Sequence, residues 1–208
     1  MKKKNLYLFP FGGNAIEAID CIDKDLFDFK GFIDDDENIH GTSWNNFPIS
    51  GKDSIIKDKT SFLLAVQGSP TTYTERPNII KNLGLPIDRF TSIIHPKSNV
   101  SKYSCIGNNT LIMGGVFIGS DVKIGSHVII LPNTVIHHHA DIQDYSIIGS
   151  QVVVAGHSGI GENCYIGSGS KIINNIKIGH GSLVGMGSVV LKSIKANSKV
   201  AGNPARYL

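Results

Sequence analysis

Every sixth residue from Ile94 to Val190 is an isoleucine or a valine, seventeen positions in unbroken succession. The run passes through Ile106, Ile118, Ile130, Ile142, Val154, Ile166 and Ile178. Glycine often follows directly, as in Ile118-Gly119 and Ile160-Gly161. Four places after each aliphatic the residue is small or β-branched, as in Thr134, Ala140, Ser146, Val152 and Cys164. A period of six fits neither a helix nor an alternating strand. It fits a short strand and a turn repeated many times, three units closing a triangular coil and the coils stacking as a parallel β-helix. The aliphatic points into the prism, where a pleated wall suits β-branched side chains. The residue four later faces the same crowded interior and has to be small. Glycine after the aliphatic fits backbone geometry that a Cβ obstructs.

Residues 94–195 supply between five and six coils of eighteen residues. A prism so narrow buries a thin core and leaves long flat sides, so a homotrimer is expected. Val200-Ala201-Gly202-Asn203-Pro204-Ala205 then ends the coil in a proline-containing loop.

The first ninety residues have another rhythm. Strands are expected at Asn5 to Phe9, Phe29 to Ile33, Ser61 to Val66 and Phe90 to Ile94, with helices at Ala15 to Ile22 and around Tyr73 to Leu83. Strand–helix alternation of this kind predicts a small parallel sheet. Such sheets bind ligands at the carboxyl ends of their strands, here Gly12-Gly13, Asp34-Asp35-Asp36 and Gln67-Gly68. A Gly-Gly pair opening a helix offers free N–H groups to a phosphate, although a bare structural turn uses the same residues.

Composition excludes several alternatives. The net charge of +3 is spread along the chain apart from Lys2-Lys3-Lys4, which gives no footprint for nucleic acid. No apolar run approaches the roughly 20 residues that span a bilayer. Phe9-Pro10-Phe11-Gly12-Gly13 interrupts any apolar core a signal peptide needs. Three widely spaced cysteines, Cys21, Cys105 and Cys164, suit reduced thiols in a cytoplasm.

Taken along nearly its full length, the chain resembles the bacterial sugar acetyltransferases typified by PglD and NeuD. The resemblance rests on Phe11-Gly12-Gly13, Gly31-Phe32-Ile33-Asp34-Asp35, Ile94-His95-Pro96, the six-residue repeats, the His138 segment and Ala201-Gly202-Asn203-Pro204-Ala205. It implies an α/β Rossmann-like nucleotide-binding domain at residues 1–92 and a left-handed parallel β-helix at 93–208. The implied activity is acetyl transfer from acetyl-CoA to the amine of a nucleotide-linked amino sugar, in surface glycan synthesis. O-acetylation of a sialic-acid-like sugar is the alternative within the class, and a non-catalytic nucleotide-sugar-binding subunit is the alternative outside it. Three positions depart from the family pattern. Pro10-Phe11-Gly12-Gly13-Asn14 stands where Gly-x-Gly-Gly-His is frequent, His139 where an acidic residue follows the catalytic histidine, and Leu131 where an asparagine is common.

The segment Thr134-Val-Ile-His-His-His-Ala140 holds three of the eight histidines. The resemblance, aligned on Ile136, makes His138 the general base. Imidazole is the side chain whose ordinary titration range lets it accept a proton at neutral pH. Steps of eighteen from 138 reach Gly156, Asn174 and Lys192, which should stack along one edge over roughly 14 Å, about 4.8 Å per coil. The Gly156 N–H is then placed to meet the oxyanion of a tetrahedral intermediate. His139 stacks on His157, and either can orient His138 in place of the missing carboxylate; exposed turn residues are the plainer reading of both, as of His137. His157, Asn174, Lys192, Gly202, Asn203 and Pro204 are the expected acetyl-CoA contacts. Phe11, Gly12, Gly13, Asp35, Asp36, Gln67 and Gly68 are the expected nucleotide-sugar contacts. Zinc is the other use of histidines on such a β-helix, as in the γ-class carbonic anhydrases. Successive side chains of an extended segment diverge, so three adjacent histidines do not converge on one ion. His139 with His157 can supply two ligands and a neighbouring subunit a third, but an N-terminal nucleotide domain has no place in that enzyme class, and no metal is expected.

Overall fold

The computed structural model describes residues 3–208; Met1 and Lys2, with the start of the lysine run, lie outside the described residues. The repeats wind into three sheets of six, five and eight strands, parallel except for one strand at the C-terminal end. Each rung is two residues long, and its neighbours on the ladder lie eighteen residues away: Val135–Ile136 pairs with Phe117–Ile118 on one side and Val153–Val154 on the other. This is the stacked architecture that six-residue repeats build, and it fits a left-handed β-helix. The inward aliphatics from Ile112 to Val190 are buried in one continuous core. The first coil departs from the expectation. Ile94 is 40% exposed, and Val100 and Ile106 are only partly buried, because a coil stacks on one side of them and not on the other. At the opposite end an antiparallel pair, Lys199–Ala201 with Arg206–Tyr207, extends the eight-stranded sheet.

The small inward positions owe their polarity to the backbone around them. The Ser146 hydroxyl donates to the Gly161 carbonyl at 2.9 Å and accepts from the Cys164 N–H at 3.0 Å. Thr134 does the same with Gly149 and Val152. A buried hydroxyl with both roles filled costs little. Glycine after the aliphatic has a steric reason: a Cβ on Gly119 would meet the backbone nitrogen of His138 at 2.9 Å. The left-handed backbone falls elsewhere, at the corner residues Asp121, His139, His157 and Asn175, with φ between 57° and 60°. Asparagine, aspartate and histidine tolerate that region better than most.

The N-terminal sheet contains β1 (Lys4–Phe9), β2 (Phe27–Ile33), β3 (Ser43–Trp44), β4 (Phe47–Ser50) and β5 (Phe62–Ala65) in the order β3-β4-β2-β1-β5. All its pairings are parallel except that of β3 with β4. Helices α1 (Gly13–Ala18), α2 (Asp53–Lys57) and α3 (Arg76–Asn82) lie between and after the strands. The strand expected at Phe90 to Ile94 does not join this sheet. Phe90 makes an isolated bridge to Leu63, and Ile93–Ile94 is the first rung of the β-helix instead. The chain changes partners there, since continuing beside β5 would leave the β-helix without its opening strand.

The N-terminal elements share a core with the β-helix. Leu111, Ile129 and Ile147, outward residues of the eight-stranded sheet, are buried in one cluster with Leu6, Leu8, Phe32 and Tyr73. Two polar residues fasten the same seam. The Asn109 amide accepts from the Ala65 N–H at 2.7 Å and donates to the Ala65 carbonyl at 3.2 Å, so it pairs with the edge strand β5 as another strand would. Arg76 is fully buried and donates to the carbonyls of Tyr145 (2.9 Å), Gln67 and His127. Among the described residues no helix is long and apolar enough to cross a membrane.

Candidate active site

His138 follows the rung Val135–Ile136 at an exposed corner of the prism. The ladder Ile136–Val154–Ile172–Val190 keeps the eighteen-residue step, so His138, Gly156, Asn174 and Lys192 occupy equivalent places on successive coils. The imidazole of His138 lies against Gly156. A Cβ there would come within 2.7 Å of its Cε1 and 3.0 Å of its Nε2, so only glycine leaves the ring its place. Among the described residues the Gly156 N–H makes no hydrogen bond, while its carbonyl accepts from Asn175 at 3.2 Å. A free donor therefore sits beside the ring.

His139 and His157 do not splay away as residues of a straight strand would. The backbone turns left-handed at both, and the His157 N–H donates to the His138 carbonyl at 3.1 Å. Their rings stack with centroids 4.6 Å apart and 23° between planes. Nδ1 of His138 is 3.1 Å from Nδ1 of His139, and Nε2 of His139 is 3.8 Å from Oδ2 of Asp121. A carboxylate thus stands behind His139, one coil before it, where the sequence has none directly after His138. Asp121 was missed, although the eighteen-residue step that joins His139 to His157 reaches it in the other direction. His137 is exposed, and its N–H is taken by Val154 in the ladder.

The remaining expected cofactor contacts divide. His139 and His157 line a groove of about 330 Å³ with Lys177 and His180. Lys192 and Pro204 line a separate cleft of about 400 Å³ with Arg206 and Tyr207. Asn174, Gly202 and Asn203 are exposed and line neither.

At the N-terminal sheet, Gly12, Gly13, Gln67 and Gly68 meet around one small cavity of about 160 Å³. Space around Gly12 and Gly13 is open, with nothing within 4 Å of a Cβ built on either. Asn14 fastens the two loops, donating to the carbonyls of Val66 (3.0 Å) and Gly68 (3.4 Å). Gln67 is buried, and its Oε1 has no partner among the described residues. The acidic run is used unevenly. Asp34, which is not among the expected contacts, is buried and accepts from the N–H groups of Phe11 (2.9 Å) and Asp36 (2.8 Å), tying one loop to the other. Asp36 accepts from the backbone and side chain of Asn38, bonds that hold its carboxyl below the ordinary range. Asp35 is exposed. Phe11 packs edge-on against Phe32, with ring centroids 5.0 Å apart.

Comparison with known proteins agrees with this architecture. The bacterial transferase hexapeptide model (six repeats) matches residues 103–136, 121–156 and 157–192. No curated protein matches the chain in sequence. Among solved structures, the acetyltransferase domain of PglB from Neisseria gonorrhoeae in complex with acetyl coenzyme A superposes with a TM-score of 0.86 at 22% identity, over all of both chains. A point mutant of GDP-perosamine N-acetyl transferase from Caulobacter crescentus, in complex with CoA and GDP-perosamine, gives 0.84 at 22% identity, over 99% of this chain and 96% of that one. WeeI from Acinetobacter baumannii gives 0.82 at 23% identity over the whole of both. Residues 103–192 match the hexapeptide repeat model, and the chain shares the overall fold of these solved structures.

Proposed function

We propose that the protein is an acetyl-CoA-dependent N-acetyltransferase acting on the amine of a nucleotide-linked amino sugar, working in the cytoplasm in surface glycan synthesis. The observation that carries this reading is the imidazole of His138 resting on Gly156 of the next coil, beside an unpaired N–H. His138 takes a proton from the sugar amine as its nitrogen attacks the thioester carbonyl. The Gly156 N–H supports the oxyanion of the tetrahedral intermediate. Collapse expels the CoA sulfur, which takes the proton from the His138 imidazolium and leaves as the free thiol. Asp121 and His139 hold His138 in the productive orientation, the part a triad carboxylate plays.

In this reading the N-terminal cavity holds the nucleotide. Gly12 and Gly13 lie along the diphosphate, Gln67 offers its unpaired carbonyl, and Gly68, whose missing Cβ makes room for Ile147 and Arg76, completes the cavity wall. Phe11 and Asp35 address the base or ribose; Asp36, already engaged by Asn38, has less to offer. Acetyl-CoA lies along the corner marked by His157, Asn174 and Lys192, with Gly202, Asn203 and Pro204 at the far end. A homotrimer completes the site between neighbouring subunits. The 41% exposure of Phe117 on the flank that carries Val135 supports such a contact. The test is thiol release from acetyl-CoA across a panel of amino-sugar nucleotides. Turnover with one of them is expected, and turnover only with a free nonulosonic acid would replace N- by O-acetylation. Nucleotide-sugar binding without any turnover would make the chain a binding subunit.

A further inference from the structure

The corner that holds His138 brings three nitrogen ligands together. His138, His139 and His157 each offer a ring nitrogen within 4.8 Å of the other two, and all three side chains are exposed. Around a tetrahedral zinc ion with nitrogens at about 2.0–2.1 Å, ligand atoms stand roughly 3.3–3.4 Å apart. The two Nδ1 atoms of His138 and His139, at 3.1 Å, are already close to that spacing. His157 stacks on His139, so its ring has to turn about Cβ–Cγ to aim at the same point, a rotation open to an exposed side chain. A second observation comes from behind the cluster. With Nδ1 of His139 as ligand, its Nε2–H faces Asp121 at 3.8 Å, and a carboxylate on the far nitrogen is the usual support of a metal-bound imidazole. The spacing is set by backbone, since His139 and His157 occupy the same left-handed corner on adjacent coils.

We propose that His138, His139 and His157 of one chain bind a borderline divalent transition ion, for which zinc is the probe, and that the ion switches acyl transfer off. The inhibitory half rests on His138 being the base. A ring ligated through one nitrogen carries its proton on the other and has no lone pair left to accept one from the amine. The ion is a competitor of the reaction and not its cofactor.

The experiment is calorimetric titration of tag-free full-length protein with zinc in a non-chelating buffer, with thiol release measured on the same samples. One ion per chain is expected. His139→Ala and His157→Ala should each weaken binding by at least about 100-fold, and Asp121→Asn by roughly 10-fold, the usual range for an outer partner. Thiol release should fall as the site fills and return on adding EDTA. Absence of saturable binding, or affinity unchanged in both histidine variants, would overturn the site while leaving the proposed transferase reaction untouched. Stoichiometric binding that spares turnover would overturn the inhibition, and would count separately against His138 as the base.

Discussion

In the β-helix, neighbouring coils meet through interchangeable aliphatics: Ile136, Val154, Ile172 and Val190 succeed one another on one ladder and all are buried. At the seam with the N-terminal sheet, beside the shared apolar cluster, the residues that close the contact are singular and polar. Arg76 reaches three carbonyls on separate segments, and Asn109 substitutes for a missing strand beside β5. The first kind of contact is written as a period, so any one term can change. The second kind depends on one side chain satisfying several buried groups at once, and nothing nearby replaces it.

The largest effect should come from the seam. Arg76→Met keeps length and apolar bulk but leaves buried carbonyls without donors, and should lower stability by about 3 kcal/mol or more. Asn109→Ala should cost about 2 kcal/mol, because the Ala65 N–H and carbonyl both lose their partner. Ile142→Val, inside the repeat, should cost only about 1 kcal/mol. Urea denaturation of the three variants checks the ranking; a repeat substitution costlier than Arg76→Met would break the contrast.

A separate effect at the same seam should come from pH. His127 is buried at the same seam, stacked on Tyr145 and bonded to Asn109. Burial, with the nearby Arg76 charge second, lowers its pKa from the ordinary 6.5 to about 4. The unfolded chain therefore takes up a proton at His127 as the pH falls through 6.5, and the folded chain does so only near 4. Stability from this group is full above pH 6.5 and drains away between there and about 4. Melting curves at pH 7 and pH 5 should show a larger acid loss for the native chain than for His127→Gln. Equal losses would remove His127 from the explanation.

The same contrast explains which features are legible in the sequence alone. The period dictates the inward column, the small column and the eighteen-residue neighbours, so His138 beside Gly156 and His139 beside His157 follow from counting. Arg76 does not: its carbonyl partners at Tyr145 and His127 lie 69 and 51 residues away, and no local pattern records them. Asp34, Asp35 and Asp36 are one letter repeated, and strand geometry alone decides which turns inward. The β3–β4 hairpin did carry a signal. Asn45 and Asn46 hold φ of 47° and 68°, and an asparagine pair between short strands is a hairpin turn that Asn favours. His139 beside His138 was legible as an orienting partner, but its left-handed φ of 57°, which brings the two Nδ1 atoms within 3.1 Å, is invisible to a rule made for straight strands.

The central claim is that an imidazole and an amide on successive coils serve one acyl carbon. Its most direct test is single-turnover thiol release by His138→Ala, with folding verified by its melting temperature. The rate of acetyl transfer to the amino-sugar nucleotide should fall by about 10²–10⁴-fold in a chain that melts like the original. Undiminished transfer by that variant would contradict it.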